Sequence, residues 1–486
     1  MNFNDFSKIA QEGFNLIPLI REIEGYDKEA IDVYSQHFDD KKSFFFESLE
    51  GDKNWSRYTI IGCSSGEYIE IHGNIIKKYS DFLCVEEHTE NDPIDWLEKY
   101  FHSFKAYIPN QFPLFSGGLV GHFSFESVCY FEKTIPKKKL QNDIDAPDIS
   151  LIICKEFIVF DKVNDKVYVV VFSGSAQSDY DRNIKKLEQY TQLLNEDFEI
   201  GTHYYNNKET IVNYDFKKED FISAVQKIKN YISSGDVMQV VLSQRMTVDF
   251  SEKPIDFYRE LRKINPSPYM YYLNMGEYTV VGSSPEILVR LEDKKVTVRP
   301  IAGTRPRSDN IDTDKKYEID LLDDKKELAE HLMLIDLGRN DIGRICQTGS
   351  VKLTDKMIIE KYSHVMHMVS NVEGAIKSDC SQFDALKATF PAGTVSGAPK
   401  IRSLQIIFEL ENITRGIYAG AIGYLGWNGN MDTAIAIRTC VIKNKKLHIQ
   451  CGAGIVYDSI PESEWEETIN KGKAIIKAIE RLRENR

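Results

Sequence analysis

Gly416-Ile-Tyr-Ala-Gly-Ala-Ile-Gly-Tyr-Leu-Gly-Trp427, Asp432-Thr-Ala-Ile-Ala-Ile-Arg-Thr-Cys-Val-Ile-Lys443 and Leu447-His-Ile-Gln-Cys-Gly-Ala-Gly-Ile-Val456 follow one another with short polar breaks. Their length and apolar, β-branched character predict three successive strands. Upstream, Met270–Leu273 and Tyr278–Gly282 flank the turn-forming Asn274-Met275-Gly276, and Ile287–Leu291 and Lys295–Pro300 read as another hairpin. A strand is expected at Val237–Leu242, preceded by a helix with Phe221, Val225, Ile228 and Ile232 on one face and Gly235 as its C-cap. Further helices are predicted over about 314–337 and from Glu462 to Arg483. Strands adjacent in sequence pair as antiparallel hairpins, so the fold class is α+β: large, mostly antiparallel sheets packed with helices.

The N-terminal part carries shorter strand patterns at Tyr58–Ile61, Tyr68–Ile71, Ser150–Phe160 and Lys166–Phe172, the last two joined by an Asn164-Asp165 turn. A helix ends near Leu194, and the polar stretch 200–215 has little periodicity. It divides the 486 residues into an N-terminal region, 1–205, and a larger region, 206–486.

Composition excludes several classes. The charge of 61 − 74 = −13 disfavours sequence-independent nucleic-acid binding, which needs a basic face. No apolar run approaches the length of a membrane span, and Met1–Phe6 has neither the basic nor the apolar part of a signal peptide. The eight cysteines are scattered with no Cys-x-x-Cys pair, as in a reduced, cytoplasmic protein without a zinc ribbon.

Pro391-Ala-Gly-Thr-Val-Ser-Gly-Ala-Pro-Lys400 offers backbone N–H groups, small hydroxyls and one cation. It lacks the spacing of a P-loop, so a carboxylate ligand fits it better than a nucleotide, or it is a plain loop between a strand and a helix. Glu327 and Glu330, and again Glu464 and Glu467, stand at i, i+3 on predicted helices. Two such pairs suit one hard cation such as Mg²⁺, or they are solvated acidic faces with Lys471 as an i+4 partner of Glu467. Pro285 aims Glu286 from a turn, where a carboxyl serves as general acid or simply faces solvent. Arg438, in an apolar strand, needs an anion, from substrate or from protein. His367 sits in a mostly apolar run, as core histidines do, and Gly452-Ala-Gly454 ends a strand with accessible N–H groups.

Several motifs occur in a recognisable order: Gln239-Val-Val-Leu-Ser-Gln-Arg245, Gly282-Ser-Ser-Pro-Glu286, Pro300-Ile-Ala-Gly-Thr-Arg-Pro-Arg307, Glu330-His-Leu-Met-Leu-Ile-Asp-Leu-Gly-Arg-Asn-Asp341, Pro391–Lys400, Gly452–Gly454 and Glu464–Lys471. Together, over about 215–480, they resemble the chorismate-binding enzyme family. The resemblance implies the aminodeoxychorismate synthase-like fold of chorismate-utilising enzymes. It also implies Mg²⁺ at Glu330 and Glu467, with Glu327 and Glu464 nearby. Glu286 becomes the acid, Gln239, His367 and Lys400 further catalytic positions, and Thr304, Thr394, Tyr418, Arg438, Gly452, Gly454 and Lys471 substrate-binding residues.

Within the family, water-activating members carry lysine where Gln239 stands, and aminodeoxychorismate synthases often carry a nucleophilic lysine where Ala302 stands. The chain is most similar to anthranilate synthase component I members, including Asn15–Ile23 and Phe45-Phe46-Glu47-Ser48. That likeness implies ammonia from a glutamine amidotransferase partner subunit, since the chain has no Gly-x-Cys-x-Gly nucleophile elbow. It also implies L-tryptophan feedback at Glu47, Ser48, Pro268, Tyr269 and Met270 in the N-terminal region and its neighbour. Two departures stand out: Phe45-Phe46 where Leu-Leu is usual, and Ser308 where glycine is usual. Aminodeoxychorismate synthase component I is the alternative, with isochorismate-forming enzymes and a non-catalytic tryptophan sensor behind it.

Overall fold

The computed structural model describes residues 1–40, 42–50, 57–63, 66–110, 112–135, 140–197, 201, 203, 205, 208–362 and 365–484. The expected boundary at 205/206 therefore lies partly outside the described residues. Two twelve-stranded sheets face each other, and every strand pair within them is antiparallel. The centre of the first runs Ser43–Glu47, Tyr269–Asn274, Thr279–Ser284, Thr439–Lys443, Lys446–Ile455 and Gln239–Asp249. The centre of the second runs Val365–Ala375, Lys295–Val298, Ile287–Glu292, Met431–Ile435, Ala421–Gly426 and Gly118–Phe123. Strands from before and after residue 205 enter both sheets, so the two sequence regions share one body.

Between the sheets lies a layer of strand side chains, among them Phe44, Phe157, Tyr271, Ile422 and Val441. The outer face of the first sheet is covered by helices Gln177–Asn195, Pro254–Ile264 and Pro461–Glu484. The second is covered by helices that include Pro93–His102 and Lys325–Gly343, and the helix Lys400–Leu410 packs on the Gln239–Asp249 strand of the first. Alternation of inward residues supplies each face, as period-2 strands require.

The differences from the sequence reading fall where the chain changes sheet. Ser150–Phe160 is two strands: Ile149–Cys154 joins the second sheet and Glu156–Asp161 the first, with Lys155 between. Asp432–Lys443 likewise splits into Met431–Ile435 in the second sheet and Thr439–Lys443 in the first. Arg438 turns the corner at φ 51°, so it stands at a sheet junction rather than in a strand. The helical stretch over 314–337 is two helices, Ile311–Asp323 and Lys325–Gly343. Asp324 stops the first and caps the second, accepting from the N–H groups of Lys326 and Glu327. The Asn164-Asp165 turn and the Gly235 cap form as expected, with φ 52° at Asp165 and 81° at Gly235. All eight cysteines are free. No helix among the described residues is long and apolar enough to cross a membrane.

Candidate active site

The Pro391–Lys400 segment follows a helix, Gln382–Thr389, not a strand. It makes a single helical turn, Gly393–Ser396, and then bridges through Gly397-Ala398 to Gln239-Val240. Gly397 has φ 133°, and a Cβ there would stand 2.2 Å from the Gln239 carbonyl oxygen, so only glycine allows this approach. The loop is thereby locked to the start of the Gln239–Asp249 strand, beside the Lys446–Ile455 strand with Gly454 opposite Val241.

Glu286 leaves the end of the Thr279–Ser284 strand through Pro285 and is buried, 7% exposed. Burial pushes its carboxyl up to about 8, while Thr394 and Lys471 pull the other way. The Thr394 hydroxyl is buried without a hydrogen bond of ordinary geometry. Glu286 and Thr394 line a small cavity of about 50 Å³ with Leu334, Leu337, Ala392 and Ile435. A carboxyl held protonated near neutrality in an apolar setting is a proton donor.

Gln239 reaches across to the helix Lys325–Gly343, where its Nε2 donates to Glu330 Oε1 at 3.0 Å. An amide is no base, so this position orients but does not activate a nucleophile. A Cβ on Gly454 would lie 2.5 Å from Gln239 Nε2, and one on Gly452 2.7 Å from the Tyr418 hydroxyl. Both glycines keep the strand surface open beside these groups. Gly454→Ala is expected to push Gln239 off Glu330 and raise KM for the substrate at least tenfold, a change that steady-state kinetics reads directly.

His367 faces Thr304 in register across the strand pair. Its Nδ1 lies 3.0 Å from the Thr304 hydroxyl and 3.2 Å from the Gly303 carbonyl. A carbonyl only accepts, so Nδ1 carries the proton and Nε2 keeps its lone pair. Burial lowers the imidazole pKa, which the Gly303 bond opposes and the Arg438 charge reinforces. Arg438 Nη1 donates to the Lys471 carbonyl at 2.9 Å. Lys471 Nζ in turn donates to the Gly452 carbonyl at 2.8 Å and pairs with Glu467 at 2.7 Å. The expected i, i+4 pair thus exists, and it also ties the C-terminal helix to the Gly452–Gly454 strand end.

The paired carboxylates come from the two helices. A Cβ on Gly303 would lie 3.1 Å from Glu327 Oε2, which sets that side chain beside the His367 contact. Burial and the neighbouring Glu330 push Glu327 up, and burial pushes Glu464 up, with Glu467 adding to it. Among the described residues no three acidic or imidazole groups already converge as a metal cage. Mg²⁺ needs no such cage: it keeps waters and takes one or two carboxylates plus substrate oxygens. An all-oxygen donor set with mutually repelling carboxylates suits that hard cation.

Lys400 does not point at this cluster. Its Nζ donates to Asp341 Oδ2 at 2.8 Å and to the Thr389 carbonyl at 3.1 Å. Burial lowers the lysine and raises the aspartate, and their attraction opposes both. The ammonium braces the loop against the Lys325–Gly343 helix. The sequence reading also missed Arg415, 1% exposed, which donates to Glu411, to the Val395 carbonyl at 2.7 Å and to the Val241 carbonyl at 2.8 Å. Glu411-Asn-Ile-Thr-Arg415 holds opposite charges four apart, the signal that could have found it.

Of the feedback residues of the sequence reading, Glu47, Ser48, Pro268 and Met270 lie near one another, and the Tyr269 side chain does not join them. Glu47 faces Met270 in register, and Leu49 N–H donates to the Ser267 carbonyl at 3.2 Å. Glu47 accepts from the Tyr258 hydroxyl at 2.8 Å and Arg262 Nε at 2.9 Å. Ser48 Oγ donates to the Glu50 carbonyl at 3.2 Å, and Pro268 is half-buried. Tyr269 points to the other face and donates to Asp432 at 2.9 Å.

Comparison with known proteins follows the same geometry. Residues 49–477 match the family model described as chorismate binding enzyme. Anthranilate synthase component 1 of Pseudomonas aeruginosa is 46% identical over 484 residues, covering 99% of this chain and 98% of that one. The crystal structure of anthranilate synthase component I from Streptococcus pneumoniae superposes with a TM-score of 0.79 at 36% identity, covering 94% of this chain and 99% of that one. The menaquinone-specific isochorismate synthase from Escherichia coli shares the fold, with a TM-score of 0.72 at 17% identity over 98% of this chain and 99% of that one. With a family model matched over most of its length and full-length relatives at this identity, the chain belongs to the chorismate binding enzymes, in the anthranilate synthase component 1 group.

Proposed function

We propose that this chain is the chorismate-converting component of an anthranilate synthase, forming anthranilate and pyruvate from chorismate and ammonia on the path to tryptophan. The observation that carries the reading is the pairing of a buried, proton-holding Glu286 with a Gln239 that has no basic lone pair. Ammonia is a competent nucleophile without a protein base, whereas water is not.

Arg438, Tyr418 and the N–H groups of Gly452–Gly454 are the candidates to hold the enolpyruvyl carboxylate. Glu330 and Glu467, with Glu327 and Glu464 as further carboxylates on the same helices, would hold Mg²⁺, which would supply positive charge for the ring carboxylate. The nitrogen lone pair forms the bond to C2, both ring double bonds shift toward C4, the C4–oxygen bond breaks as Glu286 gives its proton to the departing hydroxyl, and the new ammonium loses a proton to solvent. The C2 proton then leaves and the ring C3–oxygen bond breaks, giving the aromatic ring and enolpyruvate, which takes a proton on its methylene carbon to become pyruvate. The free Nε2 of His367 is the candidate acceptor for the C2 proton. Lys400 serves by bracing the loop that presents Thr394.

Ammonia is supplied by a glutamine amidotransferase subunit, and the protein works in the cytoplasm. Residues 1–205 carry Glu47 and Ser48 of an L-tryptophan feedback site completed by Pro268 and Met270, with only the backbone of Tyr269 between them, while 206–486 carry the catalytic groups. Asn265 Nδ2 donates to Ser283 Oγ at 2.8 Å, which links that site to the strand leading to Glu286.

The test is incubation of the purified chain with chorismate, Mg²⁺ and ammonium at mildly alkaline pH, with products identified by mass spectrometry. Anthranilate and pyruvate are expected. An amino-chorismate with its enolpyruvyl group intact moves the chain to the aminodeoxychorismate synthases, and isochorismate formed without ammonium overturns the nucleophile assignment.

A further inference from the structure

A second cavity, of about 300 Å³, opens on the helix-covered side of the first sheet, away from the catalytic cluster. Its walls include Thr59, Lys162, Arg262, Tyr26, Phe160 and the start of the helix Ala30–His37. It meets the feedback residues only at Glu47; Ser48, Pro268, Tyr269 and Met270 are not among its walls.

Two independent features there call for an anion. The first is the helix N-terminus. Glu29 provides no side-chain cap, and the N–H groups of Ala30 and Ile31, at the first turn, have no intrahelical acceptor. Such a terminus favours negative charge. The second is the Thr59 hydroxyl, which lines the cavity, is 1% exposed as a residue and has no hydrogen-bond partner among the described residues. A buried hydroxyl left unpaired is unfavourable by about 1–3 kcal/mol, so a bound acceptor is rewarded there.

The charges at the wall are mixed. Lys162 lines the cavity and forms no ion pair among the described residues. Asp161 is paired with Arg57 at 2.6 Å, whereas Glu47 and Glu29 share the single guanidinium of Arg262 at 2.9 and 3.1 Å, and Lys162 is the next cation to both. Asp165 stands at an exposed turn tip. Lys28 and Lys166 also line the cavity, and its apolar part is formed by the rings of Tyr26 and Phe160, 5.7 Å apart, with Val167 beside them.

We infer that this cavity binds a small organic anion. Its carboxylate or phosphate head sits on the first turn of the Ala30–His37 helix, the Thr59 hydroxyl and Lys162, and its apolar body lies against Tyr26, Phe160 and Val167. The inference stands apart from the catalytic assignment.

Calorimetric titration of the full chain with sodium benzoate, and separately with inorganic phosphate, tests it. Saturable one-to-one binding of benzoate tighter than about 1 mM is expected. Thr59→Val and Lys162→Met should each weaken it at least tenfold, and Arg438→Met should leave it unchanged. Phosphate binding with the same losses identifies a phosphate-bearing ligand; benzoate binding without phosphate binding identifies a carboxylate on an apolar body. Thr59→Val keeps the shape of the side chain and removes only the unpaired hydroxyl, so its urea midpoint should match or exceed that of the parent. Equal affinity in the two cavity variants, loss of binding in Arg438→Met, or no binding of either probe overturns the inference.

Discussion

Glu286→Gln should lower kcat by about two to four orders of magnitude while leaving the affinity for chorismate close to that of the parent. Glutamine keeps the shape and a hydrogen-bond donor but cannot give up a proton to the departing hydroxyl. The pH dependence makes the test sharper. Burial holds the carboxyl up at about 8, so the acid form predominates through neutrality and is lost as pH rises through about 8. An alkaline limb in the parent profile should therefore vanish in the variant, whose residual rate becomes flat in that range. Stability has its own signature. A carboxyl whose folded pKa lies above the ordinary 4.5 contributes stability that is fully present below about 4.5 and is lost as pH rises toward about 8. Glu286→Gln should thus gain stability over the parent between pH 5 and pH 8, read as a growing difference in urea midpoint. Turnover within a factor of a few of the parent would remove Glu286 from the acid role.

Arg415→Met should destabilise the fold by about 3–5 kcal/mol. Arg415 and Glu411 are 1% and 3% exposed at their side chains and pair at 2.7 Å. Glu411 also accepts from the backbone N–H and hydroxyl of Ser243, both at 2.8 Å. Methionine fills similar volume but leaves that carboxylate without its counter-charge. It also strips a donor from the carbonyls of Val395 and Val241. Glu126 would feel the change next: it accepts from the Arg415 and Gly416 N–H groups, and burial pushes it up to about 7. The double variant Arg415→Met with Glu411→Gln should recover part of the loss, because the orphaned charge is gone. Urea unfolding of the four proteins gives the coupling. Additive losses would show that arginine and glutamate act separately. Because Val395 sits in the turn that presents Thr394 to Glu286, the single variant should also lose turnover in the fraction that remains folded.

Much of the site was legible because its residues sit in short, peculiar contexts. Pro285 before Glu286, the glycines of Gly452–Gly454, and carboxylates three apart on a helix are local patterns, and local patterns survive reading one residue at a time. The structure brings Glu286, Thr394 and Lys471 together, and Gln239 with Glu330, contacts that no local pattern names. A lysine beside a glycine-rich loop looks free in sequence, yet Lys400 pairs with Asp341, 59 residues away. Arg415 was passed over because its contacts, Val241 and Val395, lie 174 and 20 residues off.

Hairpins, caps and helix faces were determined by the sequence alone, since alternation, glycine turns and i, i+4 spacing act within a few residues. So was the antiparallel character of the sheets, which follows from short connections. Only the tertiary structure decided which sheet each strand joins. Ser150–Phe160 and Asp432–Lys443 each read as one apolar run, yet Lys155 and the positive-φ Arg438 hand the chain from one sheet to the other. That choice depends on pairing between strands hundreds of residues apart and on filling the layer between the sheets, and neither leaves a mark in any local window. The same long-range pairing sets Gln239 beside Glu330 and Gly454, and Lys471 beside Gly452, and leaves the Thr59 cavity away from them.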